Sequence, residues 1–258
     1  MSRPTARPTA LVTGPTAGIG RSFAHALAGR GYDLVLVARD RDRLDSLAAQ
    51  LREAYGVEVE VLPADLADRD AVATVEARVA DPDRPVALLV NNAGFGHKAP
   101  FAENSVEDEQ QMLDVLVTAV LRLSHAALKP MLARGGGAIV NVSSVAGFLP
   151  RGTYSAAKAY VTSFSEWLDL TYRDRGVRAM ALCPGFVRTE FHERMGVSQD
   201  SAPAWMWLDA DRLVQDALAD LDRGRSLSVP SRRYKVLTAV ARYTPHSALA
   251  RFQSVGRR

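Results

Sequence analysis

Residues 10–29 have the sequence ALVTGPTAGIGRSFAHALAG, in which a short apolar run leads through a glycine-rich turn into an amphipathic segment. This order predicts a strand, a tight turn and a helix. The three glycines of the turn are Gly14, Gly18 and Gly20. Glycines at such a turn permit positive φ and let backbone N–H groups approach a phosphate at the positive end of the helix. The segment therefore predicts a strand–turn–helix unit that can bind a pyrophosphate.

The same alternation of short β-branched runs and longer amphipathic segments continues along the chain. Predicted strands cover residues 10–13, 33–38, 57–62, 86–91, 138–143, 177–183 and 226–229. Predicted helices cover residues 20–29, 41–54, 71–79, 106–132, 155–173 and 210–221. Because crossovers between parallel strands are right-handed, this order predicts an α/β fold: a single-domain, doubly wound (Rossmann-type), mostly parallel seven-stranded sheet with helices on both faces. We expect ligands at the carboxyl ends of the strands.

Composition excludes several classes of protein. Of the 258 residues, 47% are apolar and 24% are charged, which is typical of a globular protein rather than a disordered or collagen-like one. The single cysteine, Cys183, excludes an intramolecular disulfide, and no cluster of side chains has metal-ligand spacing. No window approaches the roughly 18 apolar residues of a membrane span, and the N-terminus lacks a signal-peptide core. We therefore expect one cytoplasmic domain over residues 1–258, without a metal.

Four more motifs follow the glycine-rich turn, each at the end of a predicted strand or on a predicted helix. They are Asn91-Asn92-Ala93-Gly94, Ser143-Ser144, Tyr154-Ser155-Ala156-Ala157-Lys158 and Pro184-Gly185. With these motifs in this order, the chain resembles the short-chain dehydrogenase/reductase (SDR) family over about residues 10–229. The resemblance implies an oxidoreductase that interconverts a ketone or aldehyde and its alcohol by hydride transfer, as a homodimer or homotetramer.

Tyr154 and Lys158 lie four residues apart and so share one face of a helix. A neighbouring cation favours the phenolate, which predicts a tyrosine pKa below its usual value near 10. The resemblance implies that Tyr154 exchanges a proton with the substrate oxygen, that Ser144 hydrogen-bonds this oxygen, and that Lys158 also binds the nicotinamide ribose. Ser143 is the alternative to Ser144, because the segment between Ser144 and Tyr154 is shorter than is usual in the family. Its glycines and proline predict a tight turn.

One position departs from the family pattern. The predicted helix over residues 106–132 contains Asp114-Val115-Leu116, where the family commonly has Asp-Val-Asn. That asparagine kinks the helix and holds a water that links the lysine to solvent. Helical geometry points Asp114 and Thr118 elsewhere, so neither replaces it. Leu116 therefore predicts an altered proton route or a slower enzyme, and it leaves a non-catalytic NADP(H)-binding sensor or scaffold as the alternative function.

The end of the second predicted strand indicates the cofactor. Arg39 occupies the position at which NADP-preferring relatives carry an arginine that pairs with the 2′-phosphate. Asp40 is interpreted as the N-cap of the next helix. NADP(H) is therefore the predicted cofactor, with NAD(H) as the alternative.

The resemblance also implies a set of cofactor contacts. Asp65 is expected at the adenine ring or as a helix cap, Asn91 and Ala93 at the adenosine ribose, and Thr189 at the carboxamide or at the start of a helix. The full predicted set is Gly14, Thr16, Gly18, Ile19, Gly20, Arg39, Asp65, Leu66, Asn92, Ala93, Gly94, Tyr154, Lys158, Pro184, Gly185, Val187 and Thr189.

Two regions in the last third of the chain interrupt the alternation of predicted strands and helices. Residues 190–208 form the predicted substrate lid, whose large apolar side chains predict an apolar ketone, aldehyde or alcohol as substrate, or else pack on the sheet. These side chains are Phe191, Met195, Trp205, Met206 and Trp207.

The second region is a basic C-terminal extension, residues 223–258. It carries nine Lys/Arg and no Asp/Glu, against 23 Lys/Arg and 29 Asp/Glu in the rest of the chain. Its pattern predicts one or two amphipathic helices whose apolar side packs on the domain or on a neighbouring subunit. Peripheral contact with an anionic membrane is the alternative. No familiar nucleic-acid motif is present, and we expect no nucleic-acid partner.

Overall fold

The computed structural model describes residues 7–189 and 203–244, except for the side chain of Arg242. Seven parallel strands form one sheet in the order β3-β2-β1-β4-β5-β6-β7. The strands are β1 (Thr9–Thr13), β2 (Asp33–Ala38), β3 (Val59–Pro63), β4 (Val86–Asn91), β5 (Gly137–Val142), β6 (Val177–Leu182) and β7 (Leu227–Ser228). The strand order reverses between β1 and β4, which opens a crevice at their carboxyl ends.

Helices cover both faces of this sheet. In the described part of the chain they are α1 (Gly18–Gly29), α2 (Arg41–Tyr55), α3 (Arg69–Ala80), α4 (Val106–Leu113), α5 (Ala119–Arg134), α6 (Thr153–Tyr172), α7 (Ala210–Asp222) and α8 (Arg232–Tyr243). A π-helical turn (Asp114–Thr118) joins α4 to α5. Short 3-10 segments lie at Phe101–Glu103, Val145–Phe148, Arg173–Arg175 and Ala204–Met206. The predicted doubly wound α/β fold is confirmed.

The core consists of two layers, one on each face of the sheet. Successive strand residues point to opposite faces, so Val12 packs with α1, α2 and α7, whereas Leu11 packs with α3, α5 and α6. Both faces are buried, which explains why the strands appear in the sequence as continuous apolar runs. The core therefore fixes the carboxyl ends of the central strands, where the predicted site residues lie.

The segment from Val106 to Arg134 is long and apolar enough to cross a membrane by length and composition alone. In the fold, however, α5 packs Leu123, Ala127 and Met131 against the sheet. This burial identifies the segment as a core helix.

Element boundaries differ from the predicted ones at a few places. β3 begins at Val59 rather than residue 57, and β7 is reduced to two residues. The predicted helix over residues 106–132 is divided by the π-helical turn. The interpretation of Asp40 as a helix cap is confirmed, because its carboxylate accepts a 3.0 Å hydrogen bond from the backbone N–H of Arg43 at the start of α2.

Candidate active site

The glycine-rich turn after β1 has the geometry of a phosphate cradle. Gly14 and Gly18 have φ of +64° and +53°, and a Cβ at Gly20 would lie 2.1 Å from the carbonyl oxygen of Gly14. Ala17, the N-cap of α1, has no polar side chain with which to cap the first N–H groups of the helix. This end of α1 therefore fits the pyrophosphate of a dinucleotide cofactor.

Hydrogen bonds fasten the turn after β4 to the turn after β1. The Thr13 hydroxyl oxygen accepts from the backbone N–H groups of Asn92 (2.9 Å) and Ala93 (3.0 Å). The Asn92 amide in turn donates to the carbonyl oxygens of Thr13 and Gly14, at 2.9 and 3.0 Å. The two walls of the crevice are therefore held in a fixed relation.

Asn91 does not face this crevice. Its side chain is buried and donates to Asn141 Oδ1 (2.8 Å) and Ser124 Oγ (3.2 Å) inside the domain. Alternation along β4 turns this side chain toward α5 and β5, so only the backbone of Asn91 is left for the predicted contact with the adenosine ribose, which stays a prediction.

Arg39 and Asp65 lie just beyond the carboxyl ends of the neighbouring strands β2 and β3. Their charged groups are 3.8 Å apart, and the Arg39 side chain is 72% exposed. Asp65 does not cap α3, whose N-cap is Asp68. Both side chains thus stand at the edge of the crevice, where an adenosine would lie.

Arg43 belongs to the same edge, although the sequence analysis did not single it out. Its guanidinium donates a 3.0 Å hydrogen bond to the carbonyl oxygen of Thr16 in the glycine-rich turn. The sequence feature that could have identified Arg43 is its position in the first turn of α2, the helix that follows Arg39.

Three apolar residues of the predicted set pack on the two core layers. Ile19 packs on the core below α1, and Leu66 and Ala93 belong to the core layer on the opposite face.

Ser144, rather than Ser143, is the serine beside Tyr154. Ser144 begins the 3-10 segment Val145–Phe148, accepts from the N–H of Ala146 (3.1 Å), and forms a side-chain hydrogen bond with Tyr154. The Ser143 hydroxyl is instead buried and donates to the carbonyl oxygen of Lys158 (2.7 Å). The two adjacent serines point in different directions, so only Ser144 can share an oxygen ligand with Tyr154.

The predicted tight turn between Ser144 and Tyr154 is present. Gly147 packs directly on the backbone of α6, where a Cβ would lie 2.9 Å from the backbone nitrogen of Ala159. This close approach lets the short segment bring Ser144 to the first turn of α6.

Lys158 lies beneath Tyr154 on α6. Its ammonium donates a 2.7 Å hydrogen bond to the carbonyl oxygen of Val142 and lies 5.7 Å from the centroid of the Tyr154 ring. Burial lowers the pKa of Lys158 to about 8, although the nearby Cys183 acts in the opposite direction. The structure therefore brings Ser144, Tyr154 and Lys158 together at the carboxyl end of β5.

The pKa of Tyr154 differs from the sequence-based expectation. Burial raises the pKa of Tyr154 to about 12, and the hydrogen bond with Ser144 offsets only part of this rise. Desolvation disfavours a buried phenolate, and it is the largest cause of this rise. The phenol is therefore protonated at neutral pH.

Leu116 fills the place of the family asparagine. It is fully buried in a cluster with Met112 and Ala157, against which Tyr154 packs. A Cβ at Gly94 would lie 2.8 Å from Leu116 Cδ2 and 3.8 Å from Lys158 Nζ. The helix is still distorted here, since Leu116 is the central residue of the π-helical turn.

Asp114 and Thr118 do not replace the asparagine. The Thr118 hydroxyl donates to the Asp114 carboxylate (3.4 Å), which also accepts from Gln110 (3.0 Å).

The segment after β6 forms the other side of the site. Thr189 lies against the glycine-rich turn, because a Cβ at Gly18 would be 2.8 Å from its methyl carbon. Pro184 accepts a 2.9 Å hydrogen bond from the N–H of Val145, and Val187 is buried in the core. This segment therefore links the 3-10 turn of Ser144 to the phosphate cradle.

The predicted lid lies partly outside the described residues, and Phe191 and Met195 fall there. Of the rest, Met206 packs on the cluster around Tyr234, and the Trp207 ring lies 5.5 Å from that of Phe186. Trp205 is 54% exposed. Some of the large side chains of this segment thus pack on the domain, and Trp205 is exposed.

Tyr234 is a site-supporting residue whose role the sequence did not indicate. Its ring covers Gly185, where a Cβ would lie 2.0 Å from Tyr234 Cζ. Its hydroxyl accepts from the N–H of Phe186 (3.0 Å) and donates to the carbonyl oxygen of Met206 (2.8 Å). The predicted cofactor residue Gly185 is therefore fixed from behind by α8.

Known proteins are similar to this chain in sequence and in fold. A family model described as short chain dehydrogenase matches residues 8–199. The very-long-chain 3-oxoacyl-CoA reductase of Homo sapiens is 34% identical over 188 residues, which cover 70% of this chain and 60% of that reductase. The chain thus spans well under two thirds of that relative's length.

Two solved structures superpose closely. A short-chain dehydrogenase from Sphingobium yanoikuyae, in complex with NADPH, is 38% identical, with a TM-score of 0.84 over 90% of this chain and 93% of that one. The bulky-bulky ketone specific alcohol dehydrogenase from Comamonas testosteroni is 33% identical, with a TM-score of 0.80 over 92% of each chain.

Proposed function

The chain belongs to the short-chain dehydrogenase family of oxidoreductases, and on this basis we propose that it interconverts an apolar ketone or aldehyde and its alcohol through Ser144, Tyr154 and Lys158. The observation that carries the proposal is the hydrogen bond between Ser144 and the Tyr154 phenol, with Lys158 Nζ 5.7 Å from the same ring. This constellation lies beside a cradle that fits a dinucleotide.

Each of the three side chains has a distinct task in carbonyl reduction. When bound, NADPH supplies the hydride to the carbonyl carbon. Tyr154, protonated at neutral pH, donates its phenolic proton to the carbonyl oxygen, so hydride and proton together yield the alcohol. Ser144 donates a hydrogen bond to the same oxygen and polarises the carbonyl. Lys158 lies close enough to stabilise the phenolate that remains.

NADP(H) is the proposed cofactor. Arg39 presents a guanidinium at the end of β2 that is 72% exposed and 3.8 Å from Asp65, and a guanidinium can pair with the 2′-phosphate of NADP(H). Asp40, the nearest competitor for a ribose diol, is engaged as the cap of α2. The NADPH complex of the Sphingobium relative supports this choice.

An apolar substrate is proposed because the described part of the predicted lid would give the site an apolar wall. Phe186 and Trp207 pack against each other, and Met206 and Leu208 pack on the cluster around Tyr234. The bulky-bulky ketone specificity named for the Comamonas relative is consistent with such a wall.

A homodimer or homotetramer is the proposed assembly, with an aromatic face on α6 as one subunit contact. Tyr160, Phe164 and Trp167 stack along this helix with centroids 5.6 and 6.0 Å apart. Trp167 and the adjacent Leu170 are 51% and 68% exposed. Pre-ordered aromatic surface of this kind is typical of the buried centre of subunit interfaces. The cytoplasmic location stays a prediction from the sequence.

A cofactor titration combined with a substrate panel tests the proposed activity. NADPH and NADH binding is measured by fluorescence, and NADPH oxidation is then followed with apolar ketones and aldehydes. Tyr154→Phe should lower turnover by about 10²–10⁴-fold and change NADPH affinity far less. Tyr160→Phe, on the same helix, is the matched control and should retain full activity. NADPH binding without turnover of any carbonyl by the wild type would instead favour the non-catalytic sensor.

A further inference from the structure

The outward face of α8 exposes an apolar stripe. The helix buries Tyr234 and Thr238 toward the domain. Val236, Val240 and Tyr243 are spaced four and three residues apart, so they line one side of the helix, and they are 63%, 59% and 90% exposed. The packing predicted for this extension therefore accounts for only the opposite side of the helix.

Cations flank the stripe at the first turn of α8. Arg232, Arg233 and Lys235 lie at the helix N-terminus, where the helix dipole favours anions, and no acidic residue occupies this turn. The Arg233 guanidinium also lies 6.0 Å from the ring centroid of Trp205 and donates to its carbonyl oxygen. Trp205 therefore extends the same surface, which combines exposed apolar side chains with positive charge that pairs with no carboxylate in the described part of the chain.

The surface is held in place by the rest of the domain. Tyr234 joins α8 to Phe186 and Met206 through its hydroxyl, and its ring closes over Gly185. The exposed stripe is thus presented on a fixed helix next to the candidate active site.

We propose that this face, comprising Trp205, Val236, Val240 and Tyr243 with Arg232, Arg233 and Lys235, docks on an anionic lipid surface. Acidic headgroups complement the three cations, while the stripe inserts at the level of the acyl boundary. Tryptophan and tyrosine are the side chains that favour this interface. Residues 1–222 carry 23 Lys/Arg and 29 Asp/Glu, so an anionic surface repels the body and attracts this end.

A second copy of the chain fits this face less well. In a two-fold interface the same patch meets itself, so the cations of one copy would approach those of the other. An anionic lipid surface presents negative charge to these cations, so docking on it involves no such repulsion. If the proposed apolar substrate is correct, docking would also place the active site beside the lipid bilayer, in which such a substrate accumulates.

Vesicle sedimentation tests the proposal with the full chain and without any turnover, so it is independent of the proposed activity. The protein is mixed with vesicles of phosphatidylcholine alone or of phosphatidylcholine with phosphatidylglycerol. We expect binding only to the anionic vesicles. The apolar variant V236S/V240S/Y243S and the charge variant R232Q/R233Q/K235Q should each weaken partitioning at least tenfold.

Matched variants elsewhere on the surface control for general effects. Val106→Ser removes an equally exposed valine on α4, and R69Q/R175Q/R212Q removes three exposed cations from other faces. Both should bind like the wild type. The single variants Tyr243→Ser and Arg232→Gln serve if a triple variant fails to fold.

Several results would overturn the proposal. These are no binding to anionic vesicles, equal binding to neutral vesicles, or binding that survives both α8 variants and so resides elsewhere, for example in residues 245–258. A lower molecular mass of the α8 variants in light scattering without vesicles would identify a second copy as the occupant.

Discussion

The Lys158 ammonium lies 5.7 Å from the centroid of the Tyr154 ring, yet its hydrogen bond is made to the carbonyl oxygen of Val142. The lysine is therefore anchored to the end of β5 rather than to the phenol. Its charge stands near Tyr154 without outweighing the desolvation that raises the tyrosine pKa to about 12. The protonation state of Tyr154 consequently separates the two directions of the proposed reaction.

The rates of oxidation and reduction should respond differently to pH. Carbonyl reduction uses the protonated phenol, which predominates below the pKa of Tyr154, so its rate should change little between pH 6 and pH 7. It should fall toward pH 9 only as Lys158, whose pKa is about 8, loses the charge that stabilises the phenolate product. Alcohol oxidation needs the phenolate, whose fraction rises up to about tenfold per pH unit below that pKa. Initial rates for one ketone and its alcohol across this range measure both trends. A plateau of the oxidation rate below pH 8 would contradict the high phenol pKa.

Arg39→Ala should discriminate between the two nicotinamide cofactors. Loss of a guanidinium that pairs with the 2′-phosphate should raise KM for NADPH by about 10- to 100-fold and leave KM for NADH nearly unchanged. This change corresponds to a loss of about 1.4–2.8 kcal/mol in binding free energy. Arg41→Ala, two residues further on, removes another exposed cation and should have a much smaller effect. Equal changes for both cofactors would remove Arg39 from the 2′-phosphate site.

Leu116 should contribute to stability through packing. Leu116→Ala removes a fully buried side chain from contact with Gly94, Met112 and Ala157, and the expected loss is about 2–5 kcal/mol in the free energy of unfolding. Denaturant-induced unfolding of the variant and the wild type measures this loss. Leu121→Ala, a change at a 43% exposed position on α5, should cost under about 1 kcal/mol and is the matched control. Comparable losses for the two variants would refute a specific packing role.

The sequence could predict the fold because its signals are local. Apolar runs and helix caps such as Asp40 are encoded within a few residues, whereas the beginning of β3 at Val59 depends on pairing with β2. At the π-helical turn, Leu116 packs against Gly94 and Ala157, which are distant in sequence. The motif at residues 114–116 indicated the position of this distortion but not these contacts.

The candidate site was predictable as a set of residues but not in its orientation or protonation. The order of motifs identified Ser144, Tyr154 and Lys158. The direction of each side chain depends on the sheet, which turns Asn91 and Ser143 inward. The tyrosine pKa depends on burial, which only the assembled domain determines.

The aromatic face of α6 should hold two copies together. A stable interface removes about 1,200–2,000 Å² of surface from water, and its aromatic centre contributes most of the binding free energy. A carboxylate at Trp167 or Leu170 would be buried there without a partner, which costs several kcal/mol. W167E/L170E should therefore be a monomer by size-exclusion chromatography with light scattering, while its circular dichroism spectrum stays that of the folded subunit. Val106→Glu, at a 73% exposed site on α4, should leave the mass of the wild type unaltered. An unchanged mass for W167E/L170E would show that this face lies outside the subunit contact.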